Sequence, residues 1–239
     1  MADLGTVKAL IYDVFGTCVD WRSGVAREVA AVAKAKGVAL DPVAFAVAWR
    51  DNYQPSMETV RSGKRPWTIL DVLHRETLVS LLPKFGLEGK LSEAEIDDLN
   101  RAWHRLDPWP DTVPGLTRLK RNYIIAPHSN GNFALLLDMA KRAGIPWDCI
   151  LGSETVKNYK PVPASYLEAV RLLGLKPGNV MMVAAHNRDL RAAREQGLCT
   201  GFVPRIYEHG PGQKTDLAPD SDWDVIARDH EDMAAQMGT

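Results

Sequence analysis

Four polar clusters, each following an apolar run, carry the residues of this chain that could do chemistry. The first is Asp13–Val14–Phe15–Gly16–Thr17, at the end of Lys8–Ala9–Leu10–Ile11–Tyr12. An acid that ends a buried strand of an open α/β sheet stands at the sheet's carboxyl edge, where ligands bind, so Asp13 belongs to a mouth and not to a core. Gly16 permits a tight turn with close backbone approach to a ligand, and Thr17 can orient a carboxylate through its hydroxyl. A plain strand-ending turn has the same local pattern, so the weight falls on the later clusters.

The second cluster, His128–Ser129–Asn130–Gly131–Asn132, precedes a helix whose N-terminal amides favour an anion. Ser129 and Asn130 could hold a small anionic substrate there, although a helix N-cap uses the same residue types. In the third, Asn158–Tyr159–Lys160–Pro161, the lysine could pair with Asp13 and a substrate carboxylate, a solvated lysine being the commoner fate of this residue. The fourth, Ala184–Ala185–His186–Asn187–Arg188–Asp189, leads into a helix and places Asp189 where it could orient a water or pair with Lys160.

For these clusters to meet, the runs before them must be neighbouring strands. Residues 7–14 read as the first, and further strands are expected near 123–127, 149–152, 180–184, 200–203 and 223–226. Helices are expected near 114–120, 133–143, 163–173 and 190–196, three of them closed by Gly144, Gly174 and Gly197. This alternation predicts parallel βαβ units in an α/β domain. From 19 to 107 the period is helical, and no strand is expected there. Its helices cover 24–36, a segment opened by Asp41–Pro42 that carries Trp49 and Arg50 until Pro55 kinks or ends it, 68–82, and 93–106 behind a Ser92/Glu95 capping box. The first strand cannot bury itself alone, so residues 1–18 and 108–239 are read as a discontinuous core and 19–107 as an inserted helical cap. The crossings fall near 19–23 and 107–114, with Asp107–Pro108–Trp109–Pro110 as a stiff return linker.

Composition narrows the function classes. In 239 residues, 46% of them hydrophobic, 29 basic side chains balance 30 acidic ones, which leaves no electrostatic footprint for nucleic acid or an anionic membrane. No basic segment followed by an apolar leader opens the chain and no run approaches a membrane span, so a cytoplasmic protein, mature as written, is expected. Cys18, Cys149 and Cys199 are odd in number and widely spaced, which fits reduced thiols better than a disulfide framework or a zinc site. Cys18 is near Asp13 but has no activating partner in sequence, so packing is its expected role.

The four clusters, in this order and around an inserted helical block, resemble the haloacid dehalogenase superfamily over essentially the whole chain, and within it the type II (S)-2-haloacid dehalogenase family. The resemblance implies a Rossmann-like parallel-sheet core with a helical cap, Asp13 as nucleophile and Thr17 as its hydroxyl partner. Phosphatases of the superfamily carry a second aspartate two residues after the nucleophile, as acid for the leaving alkoxide. Phe15 stands there in this chain, and a halide leaves without protonation. Those phosphatases also bind magnesium through an acid after the fourth core strand, where this chain has Ala185. Trp49–Arg50 is similar to the type II pair whose arginine meets the departing halide, although an arginine on an amphipathic helix is otherwise a solvent-facing charge. Ser129 and Asn130 match the family's Ser-Asn-Gly, Lys160 its Tyr-Lys-Pro, and Tyr166 a tyrosine on the following helix. Where familiar members read Ser-Ser-Asn, this chain reads Ala184–Ala185–His186. His186 could donate to a departing halide, tune the base, or be a structurally satisfied loop histidine.

The implied reaction has two steps. Asp13 displaces halide from a short 2-haloalkanoate to form an ester, and water then attacks the aspartyl carbonyl to release the 2-hydroxy acid. Asp13, Thr17, Arg50, Lys160, Asp189 and His186 are the expected catalytic residues, and Phe15, Ser129, Asn130 and Tyr166 the expected substrate-binding ones. No metal or organic cofactor is implied, and the partner is the small 2-haloacid itself: haloacetates, 2-halopropionates and, by extension, fluoroacetate. The apolar cap helices could mediate a homodimer or bury themselves within the chain. The competing readings are a magnesium-dependent phosphatase or phosphonatase on the same scaffold, and a noncatalytic binding protein that kept the fold.

Overall fold

The computed structural model describes residues 4–239. Strand β1 (Ala9–Tyr12) is buried at every position, and its side chains divide between two cores: Leu10 and Tyr12 join one, Ala9 and Ile11 the other. That division is the period-two alternation of a strand covered on both faces. The chain then makes a short ribbon strand, β2 (Val19–Asp20), and helices α1 (Trp21–Ala35), α2 (Pro42–Asp51), α3 (Tyr53–Arg61), α4 (Leu70–Leu81) and α5 (Glu93–Asn100). It returns through the 3-10 turn Arg101–His104 and β3 (Asp107–Pro108), which pairs antiparallel with β2.

Beyond this return the elements alternate: α6 (Thr112–Leu119), β4 (Ile124–Ser129), α7 (Phe133–Ala143), β5 (Leu151–Gly152), α8 (Ser153–Val156), α9 (Pro163–Leu172), β6 (Val180–Ala184), α10 (Asn187–Glu195), β7 (Cys199–Phe202), β8 (Val225–Ile226) and α11 (His230–Gln236). The six-stranded sheet has the order β5-β4-β1-β6-β7-β8, with every neighbouring pair parallel. The strand order reverses around β1, which places the crevice of an open α/β sheet at the end of that strand. In register, Tyr12 faces Pro127 on one side and Val183 on the other, so Asp13, the cluster after β4 and the cluster after β6 open on one edge.

The helical insert packs into the first of the two cores. Trp21, Trp49, Trp103 and Phe45 are all buried, and Trp103 sits edge-on to Phe15, with ring centroids 5.7 Å apart. Several element ends differ from expectation for identifiable reasons. Asp20 accepts the amide of Ser23 at 3.0 Å and so starts α1 at Trp21, inside the stretch expected to be a crossing. The β2–β3 ribbon is a strand pair in a block expected to have none, and Pro108 is tolerated because this short ribbon has open edges. The helix carrying Arg50 stops at Asp51, before Pro55, which occupies the first turn of α3 where its missing N–H costs nothing. The Ser92/Glu95 capping box forms as expected, but the helix behind it gives way to the 3-10 turn after Asn100. Among the described residues, no helix is long and apolar enough to cross a membrane.

Candidate active site

Asp13 sits one residue beyond β1, its backbone fixed by donation from its N–H to the Val183 carbonyl at 3.0 Å. Its two oxygens are held differently. Oδ2 accepts the Thr17 hydroxyl at 2.9 Å and lies 3.0 Å from His186 Nδ1, whereas Oδ1 meets Lys160 Nζ at 3.0 Å. Thr17 Oγ1 also accepts the Ala185 N–H at 2.9 Å, which leaves its single proton for Asp13. Burial by itself would raise the Asp13 pKa, but the Lys160 ammonium and the His186 hydrogen bond outweigh it and hold the carboxyl far below its ordinary range.

Lys160 is buried between two carboxylates, Asp13 and Asp189, both hydrogen-bonded to Nζ. Burial lowers its pKa and the paired anions raise it further than burial lowers it, so the ammonium stays charged. Its backbone is fixed as well: Asn130 Oδ1 accepts the Lys160 N–H and the Ser153 hydroxyl, both at 2.8 Å. Asp189 takes its other donor from the Tyr166 hydroxyl.

His186, at the N-cap of α10, bridges two acids. Nδ1 faces Asp13, and Nε2 lies 2.7 Å from Glu208 Oε2. Burial pushes its pKa down, but Glu208 and Asp13 together push it well above the usual imidazole value, so it stands as an imidazolium. Glu208 is 1% exposed, accepts Trp21 Nε1 at 2.9 Å, and is brought down to about 2, its burial being overcome chiefly by His186. The carboxylate reaches this place only because residue 16 is a glycine. Gly16 has φ +87°, and a Cβ there would overlap the Glu208 carboxylate.

Above this row stands Arg50. Its Cζ lies 4.0 Å from the Tyr53 ring centroid, 5.3 Å from Trp21 and 5.9 Å from Phe15, an aromatic cage that holds a cation by its ring faces. Nη2 is 4.0 Å from Glu208, and Nη1 is buried without a hydrogen-bond partner among the described residues. Between Arg50 and Asp13 lies a cavity of about 370 Å³, whose wall includes Phe15, Tyr53, Asn130, Lys160, His186 and Asp189. That volume suits a molecule of a few heavy atoms.

The structure thus gathers Asp13, Phe15, Arg50, Asn130, Lys160, His186 and Asp189 around one space, with Thr17 directly beneath Asp13. Ser129 and Tyr166, expected to touch substrate, stand outside the cavity wall. Ser129 is fully buried, with Oγ accepting the Gly131 N–H at 3.2 Å, and Tyr166 is buried beneath Asp189 with its hydroxyl committed there. Glu208 and Tyr53 were not among the expected residues, whereas Trp21 is one of the tryptophans, with Trp49, Trp67 and Trp109, that the sequence offers as cleft lining. Of the two, only Tyr53 carried a sequence signal, three positions after Arg50.

The donor set does not suit a divalent cation. Phe15 and Ala185 bring no oxygen-bearing side chain, and the free charge of Asp13 and Asp189 is already directed at Lys160 and His186.

A sequence model of the haloacid dehalogenase-like hydrolases matches residues 7–197, and the chain belongs to that family. The crystal structure of the defluorinating L-2-haloacid dehalogenase Rha0230 is 53% identical, with a TM-score of 0.95 over 98% of this chain and 96% of that one. The L-2-haloacid dehalogenase PA0810 is 48% identical, with a TM-score of 0.93 over 97% and 98% of the two chains. Among curated proteins, (S)-2-haloacid dehalogenase 4A of Burkholderia cepacia is 29% identical over 220 residues, 90% of this chain and 89% of its own length.

Proposed function

We propose that this chain is a hydrolytic 2-haloacid dehalogenase that converts short 2-haloalkanoates to 2-hydroxy acids, acting on the (S)-enantiomer of chiral substrates with inversion. The observation that carries this reading is the asymmetric hold on Asp13. Thr17 and His186 occupy Oδ2, and Oδ1, bonded to Lys160 alone, keeps a lone pair for the cavity. Oδ1 attacks the halogen-bearing carbon, the carbon–halogen bond breaks, and the halide departs toward Arg50 with its electron pair. The unpartnered Nη1 meets that charge as it develops. Phe15 contributes no proton and a halide needs none. The same buried donor supports an extension to fluoroacetate, whose leaving group is the poorest of the series.

Esterification removes the charge of Asp13, so His186 keeps one anionic partner, Glu208, and its pKa falls. It then releases the Nδ1 proton to solvent and can take one from a water approaching the aspartyl carbonyl carbon. Tetrahedral collapse expels the 2-hydroxy acid's alkoxide, which takes that proton back. The proton of the regenerated Asp13 carboxyl returns to His186, and the net release is one proton and one halide. Asp189, with Lys160 and Tyr166 on its two oxygens, acts here as the positioning partner of Lys160.

Two measurements test this account. Halide release from chloro-, bromo- and fluoroacetate and from both 2-chloropropionates should persist in excess chelator, and in heavy-oxygen water a single turnover should label Asp13 before the product. Release that requires magnesium, or label found only in the hydroxy acid, overturns it. Glu208→Gln should slow ester hydrolysis about 100-fold, so that the alkylated chain accumulates in rapid-quench mass spectra. The sign of its pH effect is fixed. Loss of the anion lowers the His186 pKa, so the acidic limb of the hydrolysis step moves to lower pH; a limb that stays in place would remove His186 from this step.

A further inference from the structure

Arg50 makes no hydrogen bond with any described residue, although little of its side chain is exposed. The nearest acid oxygen, Glu208 Oε1, stands 4.0 Å from Nη2. A guanidinium beside a buried carboxylate ordinarily closes to a hydrogen-bonded pair at about 2.7–2.9 Å, and here the approach stops short. Glu208 is not saturated. Its Oε2 faces His186 and its Oε1 accepts Trp21 Nε1, which leaves Oε1 a lone pair for a second donor.

The guanidinium is held by ring faces instead. Tyr53 is the close one, its centroid 4.0 Å from Arg50 Cζ against 5.3 Å for Trp21 and 5.9 Å for Phe15. Tyr53 opens α3 just after α2 ends at Asp51, and this junction brings its ring back over the arginine. The ring is itself buried and fixed, edge-on to Phe15 at 6.2 Å and 6.0 Å from the His74 ring. A ring face attracts a cation without taking any of its N–H groups, whereas a carboxylate takes them.

The two competitors for Arg50 therefore have opposite consequences. If Arg50 closed on Glu208, its donors would turn away from the leaving group, and Glu208 would divide its charge between Arg50 and His186. We propose that Tyr53 is a positioning residue: its ring face holds the Arg50 guanidinium off Glu208, so that the N–H groups stay unbonded for the departing halide and the carboxylate stays with His186. The role of the halide rests on the dehalogenase reading. The ring, and not the hydroxyl, does the holding.

The experiment compares wild type with Tyr53→Leu and Tyr53→Phe, following alkylation of Asp13 by rapid-quench mass spectrometry. Loss of the ring should slow alkylation about threefold with bromoacetate, about 30-fold with chloroacetate and about 100-fold or more with fluoroacetate, because a poorer leaving group needs more stabilisation of its developing charge. Phenylalanine, which keeps the face, should recover most of that loss. Phenylalanine carrying one, two and three ring fluorines at position 53 weakens the face at nearly constant shape, so alkylation by chloroacetate should fall stepwise along the series even if the leucine variant does not fold. A loss equal for all three halogens, a phenylalanine variant as slow as the leucine one, or a flat fluorine series overturns the proposal.

The geometry is read without any haloacid. In a crystal structure of the leucine variant Arg50 should close to within about 3 Å of Glu208, and His186, which faces Asp13 and Glu208, should lose its proton at lower pH by NMR. That closure in a chain that turns over no haloacid upholds Tyr53 and sinks only the reading beneath it. An Arg50 that stays in place in the leucine variant of a working dehalogenase removes Tyr53 alone.

Discussion

Asp13→Asn lowers kcat/KM for halide release on the order of 10⁵-fold, the size of effect seen when a covalent nucleophile is removed and the rest of a site is kept. An amide oxygen carries no full negative charge, and the amide nitrogen would face two donors, the Thr17 hydroxyl and His186. The variant should fold, since Asn is nearly isosteric with Asp, and intact-protein mass spectra after exposure to 2-chloropropionate should show no adduct. Brisk halide release from a chain verified to hold the amide would mean that water, not Asp13, attacks the substrate, and the two-step mechanism would be lost with it.

The second large effect concerns Lys160→Met. Removing one partner of a buried ion pair leaves uncompensated charge, typically about 3–5 kcal/mol of lost stability, and here two carboxylates, Asp13 and Asp189, lose a common cation. The pH dependence should reverse sign. In the wild type Asp13 is held below its ordinary pKa, so its contribution is present above the unfolded value and fades as pH falls through the folded one. In the variant burial is no longer offset by the ammonium, so Asp13 takes up a proton above the ordinary carboxylate range and stability should rise as pH falls from about 8 to about 5. Denaturant midpoints at several pH values read this directly. Midpoints that decline together on acidification in both proteins would show that Lys160 is not the group that neutralises the pair. Activity should fall as well, with its acidic limb displaced to higher pH because Asp13 must be ionised to attack.

Much of the fold could be read from the sequence because the core strands are apolar runs with polar ends. β1, β4, β6 and β7 each show that contrast, and the residue after β1 is the one whose chemistry matters most. Three of the shortest elements escaped, the β2–β3 ribbon being too short to express a period of two and α8 too short for a period near four, while the equally short β5 and β8 fall within expected strands. The site divides in the same way. Asp13, Lys160 and Asp189 follow apolar or loop-to-helix signals, and those positions bring them together. Glu208 lies in the long connection between β7 and β8, where no periodicity points to it, and its role depends on Trp21, 187 residues earlier in the chain. Ser129 and Tyr166 had the right neighbours but the wrong depth, since a strand end and a helix face do not say how far a side chain sits behind a wall.

The close approach of Gly16 to Glu208 constrains how this catalyst can change over generations. A methyl group at position 16 would evict the carboxylate at 208, and the left-handed backbone at that turn would resist the newcomer independently. Two sites remote in the gene are therefore locked into joint inheritance. A lineage that abandons the acid can later relax the turn, whereas one that alters the turn first forfeits the acid in the same step, so the available evolutionary routes run in one order only.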